Sequence, residues 1–432
     1  MQENRFSKYL IIWIGQTASV LGTSMTTFAL TIWAWDKTAQ ATPLAFIVAS
    51  GLITYLLLTP VAGVVVDRYD RKWVMLTADL GAGLVSLLLY FLFFTGRLEI
   101  WHLYASTFLV GGLEAFHLPA YVTAATTLLP KEEYGRAAGL RSFSFSLANL
   151  VAPPLAGLLI GFVGVGGIIL IDLATFVLAS VLLLFIKVPS VEQSAEPPNF
   201  SFKQMIFGFH YIWQRPELRG LQATLTVTNF FAAFTEYAIL AAFILARTQG
   251  DEVILGSVQA LAAAGALAGG AFASVWGGPK RKVRAILLTL AVGFFFNDIL
   301  FGLGQGVFWW GGTAFLGATM TPILVSAFYG LWQAIIPAEL QGRVFAARDI
   351  MVDLPVLLGA LLAGPLADAF FEPALMPDGI WAKSLGGLFG NSAGSGMAVM
   401  FVLFGGVALL LSLGGFGLKP LLALDERLAQ MN

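Results

Sequence analysis

The sequence encodes an all-α membrane protein: twelve transmembrane helices in two pseudo-symmetric six-helix bundles. Three observations carry this expectation. Apolar residues make up 58% of the 432-residue chain and charged residues only 11%, against about a quarter charged in soluble domains; the mean hydropathy is +0.82. The apolar residues gather in twelve runs, each near the roughly 20 residues that cross a bilayer as a helix. A polar motif also occurs twice. Pro130-Lys131-Glu132-Glu133-Tyr134-Gly135-Arg136, followed by Arg141, recurs as Pro337-Ala338-Glu339-Leu340-Gln341-Gly342-Arg343, followed by Arg348, at a constant offset of 207 residues. A chain of two similar membrane-embedded halves is the usual design of a secondary transporter.

The first run, 9–34, starts near Tyr9 and is too long for a signal-peptide core, so it reads as a retained span. Spans 43–66 and 74–95 flank the tight polar loop that follows Val66. Spans 101–128 and 138–162 flank the first copy of the repeat, and 165–187 completes the first bundle, residues 1–187. Residues 188–216 are a cytoplasmic linker. Its Glu192 to Pro198 stretch has plain linker composition, and Phe202, Met205, Ile206, Phe209 and Trp213 then fall at helical spacing. That spacing predicts an amphipathic helix on the inner membrane face. The second bundle, 217–432, holds spans 217–246, 252–276, 284–303, 307–336, 347–370 and 395–417. The glycine-rich outer segment Phe371 to Ser395 offers no clear pattern.

Basic residues give the direction. With the N-terminus in the cytoplasm, 20 of the 24 Lys and Arg fall on inner segments, and only Lys37, Arg97, Arg247 and Lys383 on outer ones. Cytoplasmic segments carry such an excess, so the chain is expected to be multi-pass in the cell inner (plasma) membrane with both termini in the cytoplasm. The net charge of -1 says nothing about partners, and nucleic acid is not expected. The chain has no cysteine and three histidines, which excludes thiolate chemistry and leaves no metal cluster. It carries no phosphate loop and no His-Glu-x-x-His pair. An enzyme is not expected, nor a cofactor.

Gly63-Val64-Val65-Val66-Asp67-Arg68-Tyr69-Asp70-Arg71-Lys72 closes the second span. This loop resembles the signature of the major facilitator superfamily, with Asp70 where many members carry glycine. Trp13-x-Gly15-Gln16-x-x-Ser19, Pro119-Ala120-Tyr121 and Ala152-Pro153-Pro154-Leu155-Ala156-Gly157 resemble the branch of macrolide-efflux and enterobactin-export proteins. The resemblance implies the major facilitator fold, with spans one, four, seven and ten around a central cavity. It implies that Asp67 meets the start of span eleven near Arg348 and Asp349. A gating set of Gly63, Asp67, Arg68, Arg71, Lys72, Arg136, Arg343 and Asp353 follows, with Gly63 allowing close helix approach. The span-five segment resembles an antiporter motif and implies export. Span four lacks the arginine that many proton-driven antiporters carry there.

An ionisable group at bilayer depth is costly and needs a reason. Glu114 lies mid-way along span four and Glu236 within span seven, both on the route that the resemblance implies. His117 follows Glu114 by three residues, on the same helix face. A carboxylate beside an imidazole can exchange a proton near neutral pH. Glu114 and Glu236 are therefore expected to carry the coupling proton or to meet a cationic substrate, with His117 tuning Glu114. Asp79, Asp172, Asp298 and Asp353 read as structural. Gln16, Asn229, Phe234 and Tyr237 are expected to line the cavity, whose aromatic and polar walls suit a bulky amphipathic or cationic solute. The expected function is proton-coupled efflux of drug-like or siderophore-like small molecules by alternating access, by a monomer whose partners are protons, the small-molecule substrate and the lipid bilayer. A lipid or lysolipid flippase and a non-transporting membrane sensor or scaffold are the alternatives.

Overall fold

Bilayer-length apolar runs leave the backbone one economical choice, since a helix satisfies its own N–H and C=O groups without water. The structure, a computed structural model, describes residues 3–186 and 202–431 and contains no strand among them. Among the described residues, nine segments are long and apolar enough to cross a membrane. One of them, Lys131–Phe185, runs 55 residues and reverses at Gly164 (φ 66, ψ 176), so it supplies two crossings. Helices Glu3–Thr38 and Ile100–Leu128, of 36 and 29 residues, are more polar but long enough to span. The described residues therefore hold twelve membrane-length limbs.

The helices in chain order are α1 Glu3–Thr38, α2 Ala41–Arg68, α3 Arg71–Phe94, α4 Ile100–Leu128, α5 Tyr134–Phe185, α6 Phe202–Trp213, α7 Pro216–Ala232, α8 Leu240–Arg247, α9 Glu252–Trp276, α10 Lys282–Phe294, α11 Phe301–Leu303, α12 Val307–Ala318, α13 Met320–Ile335, α14 Ala338–Leu366, α15 Glu372–Leu375, α16 Ala382–Phe389, α17 Ser395–Gly414 and α18 Lys419–Met431. Three π-helical turns, Ala233–Ile239, Phe295–Leu300 and Ala367–Phe371, are inserted within spans seven, nine and eleven. The chain forms two compact units. Unit 1 is Met1–Thr38 with Phe46–Asn199, and unit 2 is Ala39–Ala45 with Phe200–Asn432.

In unit 1, α1 is zipped to the first limb of α5. Tyr9 donates to the Ala137 carbonyl at 3.0 Å, Trp13 Nε1 to the Leu140 carbonyl at 2.8 Å, and the Thr17 and Ser144 hydroxyls meet at 2.6 Å. The second limb of α5 brings up Asp172, which accepts from Thr23 and Ser86, each at 3.2 Å. One buried carboxylate thereby ties α1, α3 and α5 together, the packing role expected of it. Helices α2 and α4 approach closely, because a Cβ at Gly111 would fall on the Gly51 carbonyl. Asp70, the departure in the signature loop, caps α3 by accepting from the Lys72 N–H at 2.8 Å.

Unit 2 packs around buried Leu218, Leu221, Ile286, Leu331, Trp332 and Val344. Residues 187–201, which include residues 188–201 of the expected linker, lie outside the described residues. The amphipathic helix expected after it is α6, and it docks on protein. A Cβ at Gly208 would meet the Arg343 carbonyl and Ala347, and Ile212 is fully buried. The outer segment that looked patternless is ordered. Trp381 packs on Phe370 and Phe371 at 5.2 and 5.8 Å. Glu372 accepts from the Met397 and Gly394 N–H groups at 2.7 and 3.0 Å, capping α17. Asp425 of α18 accepts from Val283 N–H at 2.8 Å at the start of α10. Within the same unit Asp368 accepts from the Ala41 and Thr42 N–H groups at 2.9 and 2.8 Å.

Candidate functional site

A cavity of about 250 Å³ opens within unit 1. α1 contributes Gln16, Ser19 and Thr23; α3 contributes Asp79; α4 contributes Glu114, His117 and Tyr121; and α5 contributes Arg141, Phe145 and Phe176. Gln16, Glu114 and His117, all expected to share a site, are brought together. Asn229, Phe234, Glu236 and Tyr237 belong to unit 2.

Asp79 is the organising residue, and single-helix reasoning missed it. It is only 5% exposed. Its Oδ2 accepts from Gln16 Nε2 at 2.9 Å, and its Oδ1 lies 3.1 Å from His117 Nε2. At that distance the two side chains form an ion pair whenever the imidazole is protonated. The nearest carboxylate partner of His117 is thus Asp79, although Glu114 shares its helix face. Glu114 is exposed to the cavity and forms no ion pair among the described residues. Arg141, which follows the first copy of the repeat, lines the same cavity and forms no ion pair among the described residues. The site therefore holds a buried Asp79–His117 pair beside two unpaired charges of opposite sign.

In unit 2, Glu236 sits on the first π-helical turn and accepts from Asn297 Nδ2 at 3.3 Å. Asn297 and Asp298 belong to the second π turn, and Thr235 donates to Asp298 Oδ1 at 2.5 Å. π turns within α-helices occur often at functional sites, because the extra residue turns side chains out of regular register. Asn229 spends its amide on the Leu225 carbonyl at 2.8 Å. Phe234 is buried against Phe404 and Phe230, with ring centroids 4.3 and 5.2 Å away. It is a packing residue of this unit. Tyr237 is 52% exposed.

The gating set finds most of its partners locally. Arg71 donates to Thr127 at 3.2 Å, and Lys72 Nζ donates to the Leu184 and Ile186 carbonyls, both at 2.8 Å. These bonds fasten α3 to α4 and to the end of α5, where orphan carbonyls favour a cation. Gly63, expected at a close helix approach, faces open space: a Cβ there would meet nothing within 4 Å. Arg68 is exposed, and the Asp67 side chain lies outside the described residues. Arg136 stacks on Phe6 at 3.9 Å. Arg343 is exposed and Asp353 half-buried. Arg348 is the surprise. It is 1% exposed, with its guanidinium over Phe345, Phe328, Tyr329 and Trp332 at 4.5, 4.7, 4.8 and 5.6 Å. Asp349 accepts from its Nε and Nη2 at 2.8 and 2.7 Å. Four rings and one carboxylate offset the cost of burying that charge.

Membrane-length helices in two units, with unpaired charges facing a cavity inside one of them, make the frame of a secondary transporter. Residues 12–360 match the family model of the Major Facilitator Superfamily, and the chain belongs to that family. It is 27% identical over 369 residues to macrolide efflux protein A of Streptococcus pyogenes, covering 84% of this chain and 89% of that protein. It is 26% identical over 376 residues to the multidrug efflux pump Tap of Mycolicibacterium fortuitum, covering 83% and 89%. Among solved structures, a bacterial homologue of the human lysosomal transporter Spinster superposes with a TM-score of 0.71 at 13% identity, covering 100% of this chain and 98% of that one. The protein is a multi-pass membrane transporter of this superfamily and not an enzyme.

Proposed function

We propose that the protein couples proton entry to the export of amphipathic, cationic small molecules by alternating access, from the inner membrane, with both termini in the cytoplasm. The single observation that carries this reading is the unit 1 cavity, where unpaired Glu114 stands beside the Asp79–His117 pair. An unpaired carboxylate in a membrane cavity binds either a proton or a substrate cation, and that competition is the simplest coupling device. Asp79 holds the imidazole one helical turn from Glu114. Glu236, bonded only to a neutral amide, provides a second carboxylate of the same kind. The names of the macrolide and multidrug efflux relatives support export and a bulky substrate.

Inside-out proteoliposomes bathed in a labelled, permanently charged cationic amphipath test the proposal. Accumulation inside should require an imposed inside-acid pH gradient and collapse with a protonophore. Accumulation unaffected by the gradient would refute proton coupling. Movement of labelled lipid with no drug present would favour a flippase.

A further inference from the structure

Within that reading of the unit 1 cavity, we infer that Arg141 binds an anionic group of the substrate, so that the cavity selects amphoteric amphipaths over purely cationic ones. The inference comes from setting the two copies of the repeat side by side. Arg141 and Arg348 occupy the same repeat position. In unit 2 that arginine is closed off: Asp349 takes two of its hydrogen bonds and four aromatic rings cover its face. At the same offset, unit 1 has Ser142 in place of Asp349. Tyr121 stands where Phe328 is, but Val122, Ala125 and Ala138 replace Tyr329, Trp332 and Phe345. The neutralising acid and three of the four rings are missing, and Arg141 faces a cavity.

A half-buried guanidinium that faces a membrane cavity is stabilised by a counter-charge. Glu114 lines the same cavity but forms no ion pair with it. The two opposite charges are therefore held apart, one from α4 and one from α5. A ligand carrying both an ammonium and a carboxylate satisfies both at once. Its ammonium meets Glu114, and its carboxylate meets the planar fork of Arg141, a geometry suited to bidentate recognition. Phe145 and Phe176 offer the apolar body a surface. In unit 2 the matching arginine is enclosed at 1% exposure, so the selectivity belongs to one half of the repeat.

Norfloxacin, a zwitterion near neutral pH, and its ethyl ester, a cation with the same ring system, separate the two charges. Equilibrium binding of each to the purified protein in detergent reads selectivity without a gradient. The acid should bind at least about tenfold more tightly than the ester, the worth of one charge-assisted hydrogen-bonded pair. Arg141→Gln should remove that preference by weakening acid binding at least about tenfold, while Arg141→Lys retains part of it. Glu114→Gln should weaken both compounds. Equal affinity of the wild type for acid and ester would overturn the inference without recourse to any variant. So would a preference that survives Arg141→Gln. Binding and transport fail separately: a protein that prefers the acid but moves neither compound refutes the transport reading alone.

Discussion

Asp79→Asn is expected to lower gradient-driven transport by at least about tenfold while the protein still folds and binds substrate. Asparagine keeps the volume of the side chain and can still accept from Gln16, whose bond to Oδ2 is 2.9 Å. It cannot supply the negative charge that faces His117 at 3.1 Å. The imidazole then loses the group that fixes its orientation and its proton. Glu114 stays unpaired and open to the cavity, so substrate affinity in detergent should change little. The distinguishing measurement is a pair of assays on the same proteoliposomes, driven uptake against substrate exchange with no gradient. Driven uptake should fall and exchange persist. Equal loss of both would make Asp79 a packing residue only.

Gly269→Val is expected to abolish the yield of folded, monodisperse protein. Gly265 and Gly269 lie one turn apart on α9, and a Cβ at either would lie 2.1 or 2.2 Å from the carbonyl oxygen of Phe315 or Thr319. Small residues at this spacing let helix backbones touch in a bilayer, where apolar side chains gain nothing by leaving lipid. An added isopropyl group must separate α9 from α12 and α13, at a cost of about 3 kcal/mol or more. Gly270→Ala is the matched control, because its Cβ would lie 3.9 Å from Pro322, an ordinary contact. Size-exclusion profiles and thermal midpoints in detergent read the difference. A wild-type midpoint for Gly269→Val would show that these helices do not pack in this way.

The spans were legible in the sequence because a bilayer imposes one length and one polarity on every crossing. Even the reversal at Gly164 falls between the expected runs 138–162 and 165–187. Individual side chains were less legible, because their partners come from other helices. Asp79 stands near a basic loop in sequence, but its partners Gln16 and His117 come from α1 and α4. Arg71 and Lys72 bear the expected charges and spend them on Thr127 and on the end of α5. Phe234 fits an aromatic wall by periodicity. The π-helical turn that begins at Ala233 breaks that periodicity, and the ring packs on Phe404. Arg348 shows the limit of hydropathy most plainly, since no scale anticipates a charge enclosed by four rings. The repeat did carry a usable signal for Arg141: the two copies keep the arginine, while the first lacks the neutralising acid and three of the four rings.

Competition between proton and substrate cation at Glu114 is the central claim, and proton release on substrate binding tests it most directly. The purified protein is titrated with a cationic amphipath in weakly buffered detergent solution containing a pH indicator dye. The wild type should release protons as the compound binds, in proportion to site occupancy, and Glu114→Gln should bind it more weakly and release fewer. Saturable binding to the wild type with no proton release, or release undiminished in Glu114→Gln, would contradict it.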